Sequence, residues 1–183
     1  MVKQDLIIKL RSICMDDAVV LMELNNSKEV ADFVVGNPQK VNLEQQLKWM
    51  TNIEHETATR RWMIEYEEQP VGTIILSSVD HINAVANMNI KLLPMYQGKG
   101  IARNALCQAC DIAFDELHLF CLTANILSYN MRSIALFRKV GFHEDGILRS
   151  RVIKNGMRHD LITLSLLKSE RHWKDDECQR NRK

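Results

Sequence analysis

Apolar positions along the chain follow two periods, and the switches between them outline the elements. Residues 5–13 (Asp-Leu-Ile-Ile-Lys-Leu-Arg-Ser-Ile) alternate loosely and predict a first strand. From about 17 to 26 the spacing turns helical, with Ala18, Leu21, Met22 and Asn25 on one side. Asn26-Ser27-Lys28 breaks that helix, and residues 29–35 hold another turn or two before the loop Gly36-Asn37-Pro38. Asn42-Leu-Glu-Gln45 has the form of a capping signal for a helix reaching about His55, with Leu43, Leu47, Met50 and Ile53 at helical spacing. Strands are predicted at 61–67, 71–79 and 84–92, separated by a turn at Glu68-Gln-Pro70 and a loop at Asp80-His-Ile-Asn83. Ala102, Ala105, Leu106, Ala109, Cys110 and Ala113 return to the helical stripe. Residues 119–124 read as a strand buried on both faces. Asn130 and Gly141 then bracket a short helix as N-cap and stop. Residues 142–153 and 158–167 form a closing hairpin around Asn155-Gly156. The order is β-α-α-β-β-β-α-β-α-β-β, an α+β chain of one domain over residues 1–168. Residues 169–183, dense in charge, form a tail that is either a frayed helix or disordered.

Composition narrows the function classes. With 183 residues the chain is large enough for a substantial core, and 46% hydrophobic with 26% charged residues is ordinary for a globular protein. A net charge of +1 gives no nucleic-acid surface. No apolar run approaches the roughly 18 residues of a membrane span, and the start Met-Val-Lys-Gln-Asp has no signal-peptide core, so no membrane is expected and the default compartment is the cytoplasm. The five cysteines are scattered and odd in number, which favours free thiols. Cys107-x-x-Cys110 has no second pair and no nearby histidine, so both are expected as small buried hydrophobes, and no metal site is expected.

The candidate chemistry begins where the strand 84–92 meets the next helix. Met95-Tyr-Gln97-Gly98-Lys99-Gly100-Ile101-Ala102-Arg103 places two glycines at a helix start. Glycine permits close backbone approach, and a helix start offers unpaired N–H groups and a positive dipole end for an anion. The loop is neither Gly-x-x-x-x-Gly-Lys-Ser/Thr nor Gly-x-Gly-x-x-Gly. About thirty residues on comes Asn130-Met-Arg-Ser133-Ile-Ala-Leu136-Phe137-Arg-Lys139-Val-Gly141-Phe142. With both stretches in this order the chain resembles the GNAT superfamily of acetyl-CoA-dependent N-acetyltransferases. The family's pyrophosphate loop, Gln/Arg-x-x-Gly-x-Gly/Ala, is matched from Gln97 to Ala102. Its second signature, Asn-x-x-Ser-x-x-Leu-Tyr-x-Lys-x-Gly-Phe, is matched from Asn130 to Phe142 with Phe137 in place of tyrosine. The N-terminal helices resemble the branch with ribosomal-protein alanine, spermidine and nucleotide-amino-sugar acetyltransferases.

The resemblance implies a single GNAT-like domain with a central mixed, mostly antiparallel sheet flanked by helices. It implies acetyl-CoA as co-substrate and transfer of the acetyl group, by direct attack on the thioester, to a primary amine on a small molecule such as a polyamine or an amino sugar, or on a protein N-terminus. The expected cofactor contacts are the backbone near Ile90 and Leu92, the loop Gln97, Gly98, Lys99, Gly100, Ile101, Ala102 and Arg103, and Asn130, Ser133, Phe137 and Lys139. The proton chemistry departs from the family. Asn87 stands where many relatives carry a glutamate, and Phe137 has no hydroxyl to protonate a leaving thiolate. Glu65, through water, and Glu23 are the alternatives for the base; His81 sits in a loop where it could touch substrate, and Tyr96 and Tyr129, which flank the two motifs, are candidate donors. A non-catalytic CoA-binding or regulatory module is the alternative those losses leave open, and a homodimer is also left open.

Overall fold

The computed structural model describes residues 7–53, 56 and 58–171. Its seven strands are β1 (Ile8–Ser12), β2 (Arg60–Tyr66), β3 (Gln69–Asp80), β4 (Val85–Leu92), β5 (Cys121–Leu127), β6 (His143–Lys154) and β7 (Met157–Leu167). The helices are α1 (Ala18–Asn26), α2 (Lys28–Ala31), α3 (Leu43–Ile53), α4 (Ile101–Asp111) and α5 (Met131–Val140). One sheet has the order β1-β2-β3-β4-β5-β7-β6. Every neighbouring pair is antiparallel except β4 and β5. The fold is thus the mixed, mostly antiparallel α+β arrangement expected.

Several elements form where local chemistry dictates. Asn42 and Gln45 exchange caps at the start of α3: Gln45 N donates to Asn42 Oδ1 and Asn42 N to Gln45 Oε1, both at 2.9 Å. Asn130 Oδ1 accepts from Ser133 N at 3.1 Å, and Gly141 ends α5 in the left-handed region. Asn155 and Gly156, both at positive φ, turn the β6–β7 hairpin.

Two expectations are corrected. The turn between β2 and β3 is made by Glu67 and Glu68, at φ +49° and +63°, not by residues 68–70. A two-residue hairpin loop needs positive φ at both positions, and Pro70 falls instead at the register shift beside Glu65, where its missing N–H is tolerated. β5 is not buried on both faces: Leu122, Ala124 and Ile126 are buried, while Cys121, Thr123 and Asn125 are half-buried. Most of the tail, residues 172–183 with Trp173 and Cys178, lies outside the described residues.

The main core lies between the sheet and α4 and α5, and includes Ile64, Ile74, Leu76, Met88, Leu106, Phe114, Leu122 and Phe137. Cys107 and Cys110 are buried in it, as expected. The opposite face carries a smaller apolar cluster, Ala18, Leu21, Met50 and Met63, under α1 and α3. Among the described residues no helix is long and apolar enough to cross a membrane.

Beside this smaller cluster, Arg11 bridges two carboxylates. Its guanidinium donates to both oxygens of the buried Asp17, each at 2.8 Å, and its Nε donates to Glu65 Oε2 at 2.8 Å. Burial pushes the Asp17 carboxyl up, but Arg11 and the Cys14 N–H (2.9 Å) outweigh it and hold the group below the usual carboxylate range. A carboxyl depressed in the folded state stabilises above its unfolded pKa, near about 3.9, and that contribution disappears as pH falls through the folded value. The urea midpoint is therefore expected to drop on acidification below about pH 4, and Asp17→Asn should lower the neutral-pH midpoint and flatten this dependence. Equal acid slopes for wild type and variant would contradict the assignment.

The span between α2 and α3 is fastened by side chains from the far end of the sequence. Lys154 Nζ donates to Ala31 O (2.5 Å) and Gly36 O (2.6 Å). Tyr129 Oη donates to Asp32 O (2.7 Å), and Asn130 Nδ2 to Phe33 O (3.1 Å).

Candidate functional site

β4 and β5 run together only briefly. Their register covers Val85–Cys121, Ala86–Leu122 and Asn87–Thr123, and then the strands part. Backbone groups alternate sides along a strand. Leu93 N donates to Val71 O on the β3 side, so the backbone of Met88, Ile90 and Leu92 faces the split. Beyond Asn87 these groups have no strand partner there. One of them is taken: Leu92 O accepts from Gln97 Nε2 at 3.2 Å.

That bond ties the end of β4 to the glycine loop. Pro94–Tyr96 forms one 3₁₀ turn, and Gly98 and Gly100 follow at φ +76° and +84°. Gly100 is the N-cap of α4 and has no side chain to cap it. The first intrahelical bond is Asn104 N to Gly100 O at 3.3 Å, so the N–H groups of Ile101, Ala102 and Arg103 precede the ladder. A Cβ built on Gly98 would meet nothing within 4 Å, so the space above the loop is open. Glycines at positive φ, amides without a cap and open space above them fit a phosphate-bearing ligand. Lys99 lies over the Tyr96 ring at 5.3 Å from its centroid. Arg132 of α5 reaches Gln97 Oε1 at 3.5 Å, which brings a second exposed cation to the loop.

The remaining site residues expected from the sequence are spread more widely. Phe137 is 2% exposed and packs edge-to-face on Phe142 at 4.9 Å. Lys139 is exposed on the last turn of α5. Asn130 uses its side chain on Ser133 N and Phe33 O. Glu65 is paired with Arg11, and Glu23 and His81 are exposed. Tyr96 packs on Tyr66 at 6.3 Å, and Tyr129 on His159 at 4.9 Å. Among the described residues no group of three or more His, Cys, Asp or Glu is placed to hold a metal ion.

Sequence reasoning missed the opposite face of β4. Asn87, Asn89 and Lys91 alternate with Ala86, Met88 and Ile90, so the face towards α1 is polar. Asn87 Nδ2 and Asn89 Nδ2 both reach Ser77 Oγ, at 3.5 and 3.4 Å. Lys91 extends to Asn25 of α1. An Asn-x-Asn-x-Lys stripe on a mid-sheet strand was the available signal.

Known proteins match this geometry. The acetyltransferase (GNAT) domain model matches residues 8–143. A spermidine N(1)-acetyltransferase of Escherichia coli K12 is 27% identical over 163 residues, covering 89% of this chain and 87% of the relative. One from Vibrio cholerae is 26% identical over 162 residues, covering 88% and 93%. The crystal structure of a Vibrio cholerae spermidine N-acetyltransferase in complex with CoA and spermine superposes with a TM-score of 0.84 at 25% identity, covering 90% of this chain and 97% of that one.

Proposed function

The chain belongs to the GNAT acetyltransferase family and is an acetyl-CoA-dependent N-acetyltransferase, and from that premise we propose that its amine acceptor enters from the α1 and α3 side of the split between β4 and β5. The observation that carries this is the end of β4–β5 pairing at Asn87–Thr123, which opens the sheet in line with the glycine loop. On this reading the amides of Ile101, Ala102 and Arg103, with Gly98 and Gly100 clearing their approach, hold the pyrophosphate. Gln97 anchors the loop, Lys99 and Arg132 add positive charge, and the open backbone of Ile90 and Leu92 lies along the pantetheine arm. Ser133 and Lys139 sit on the α5 side of the same ligand. Asn130 acts through the backbone it caps rather than by direct contact.

Bound acetyl-CoA supplies an acyl group already activated as a thioester. The protein must then orient the amine, accept its proton and exclude water. An alkylamine with a pKa near about 10 arrives mostly protonated. Asn87 cannot be a base, and Glu65 is engaged by Arg11, so the proton leaves through water along the Asn87–Asn89–Ser77 face. Phe137 gives no proton to the departing sulfur, and a thiol pKa near about 8.5 makes thiolate a tolerable leaving group.

A polyamine acceptor is a second reading, favoured by the spermidine acetyltransferase names of the relatives. The exposed Ile147, Leu148, Ile153 and Met157 on the edge hairpin support a homodimer. Residues 1–168 as one catalytic unit, with the tail dispensable, belong to the same proposal. The test is thiol release and product mass with acetyl-CoA and a panel of primary amines. Glu65→Gln and Glu23→Gln should each lower kcat by less than about tenfold, since a dedicated base contributes about 10²–10⁴. A loss above about a thousandfold at every pH, with CoA affinity intact, would identify that residue as the base.

A further inference from the structure

Among the described residues, the polar face of β4 holds a cation that no carboxylate pairs with. Lys91 is half-buried, and its hydrogen-bond partner there is Asn25 Oδ1 at 3.4 Å, a long contact for an ammonium. No ion pair to Lys91 exists among the described residues, and burial pushes its ammonium pKa down with no nearby carboxylate to oppose it. Asn25 passes the chain of bonds on: its Nδ2 donates to Gln46 Oε1 at 3.1 Å. Gln46 is 2% exposed, and among the described residues its Nε2 has no hydrogen-bond partner. An ammonium and an amide NH₂ thus stand at the two ends of one asparagine, both short of acceptors.

Buried donors without acceptors are costly, and native proteins keep few of them. Both donors call for an oxygen, and the ammonium calls for an anionic one. The polar side chains linked on this face are Asn25, Gln46, Ser77, Asn87, Asn89 and Lys91, none of them a carboxylate. A polycation seated here would bring a second ammonium towards Lys91, and none of these side chains would neutralise either charge.

We propose that Lys91, Asn25 and Gln46 form a recognition site for a carboxylate carried by the acceptor, so that this enzyme acetylates the amine of a small amino-carboxylate in preference to a polyamine. The site lies on the face from which the acceptor enters, and the proposal rests on that reading of the split sheet. Lys91 Nζ and Gln46 Nε2 donate to the carboxylate, and Asn25 holds the two donors apart.

Matched acceptors that differ by one carboxylate test this: lysine against cadaverine and ornithine against putrescine, with spermidine as the polycation. Wild type is expected to show a kcat/KM at least about tenfold higher for the carboxylate member of each pair, mostly through KM. Lys91→Met should lower that ratio about tenfold, leaving CoA affinity unchanged and the diamines as good as before or better. Gln46→Glu is nearly isosteric and places a carboxylate at the far end of Asn25 from Lys91. It should repel the amino-carboxylates and shift the preference to the diamines. A wild type that prefers diamines or spermidine, or a ratio unmoved in both variants, overturns the proposal. Failure of acetyl transfer to every amine, with CoA still bound, overturns the placement of the acceptor and this proposal with it.

Discussion

Gly100→Asp is expected to raise the dissociation constant for coenzyme A by more than about a hundredfold while the protein stays folded. Position 100 has φ +84° and caps α4 without a side chain. Aspartate tolerates the left-handed region better than most residues, so the variant is expected to fold despite the backbone strain. Its carboxylate adds bulk and a negative charge at the start of α4, where the first-turn N–H groups would otherwise meet phosphate. Charge-assisted hydrogen bonds are worth about 1.5–3 kcal/mol each, so losing one or two suffices for the stated change. Calorimetric titration with CoA, alongside thermal melts, measures both halves. Gly98→Ala adds an uncharged methyl group in open space but at φ +76°, so it reports the effect of backbone strain in the loop without an added charge. Unchanged affinity in Gly100→Asp would remove the loop from the binding site.

Gly72→Ala is expected to be the most destabilising single methyl addition in the sheet. A Cβ there would sit 2.3 Å from Lys91 O and 2.8 Å from Leu92 Cδ2. The nearer atom is backbone, so no rotamer change relieves the contact, and β4 itself must move. Overpacking of this kind costs about 1–3 kcal/mol and more where the backbone resists, so about 3 kcal/mol is expected. The displaced strand is the one whose other edge faces the split, so CoA affinity should fall in the folded fraction as well. Urea unfolding of Gly72→Ala beside Gly146→Ala, whose Cβ meets nothing within 4 Å, is the measurement. Matching midpoints in the two variants would show that β3 and β4 separate freely.

What could be read from the chain was local. The reciprocal cap of Asn42 and Gln45, the Asn130 cap with its Gly141 stop, and the Asn155-Gly156 turn each depend on residues within about four positions or at one helix, where side-chain chemistry sets the backbone. The glycine loop was legible for the same reason. The turn at Glu67–Glu68 was not, because neither residue prefers positive φ, and strand pairing on both sides imposes it. The pairing of Glu65 with Arg11, the reach of Arg132 to Gln97, and the Lys91–Asn25–Gln46 chain all join distant segments. Periodicity places such residues on faces but does not say which faces meet. The catalytic proposals suffer most from this, since Glu65 looks available in the sequence and is bound to a guanidinium in the fold.

The span from Ala31 to Gly36 has a further consequence, which concerns time. It joins α1, with Asn25, to α3, with Gln46, yet four of its carbonyls are held by Tyr129, Asn130 and Lys154. A ribosome working at about 5–20 residues per second makes those three residues several seconds or more after the span they fasten. Until the closing hairpin emerges, α1 and α3 can already join through Asn25 and Gln46, but the span between them is not yet fully fastened. The growing chain can therefore complete its glycine loop before the segment linking its two N-terminal helices is held in place.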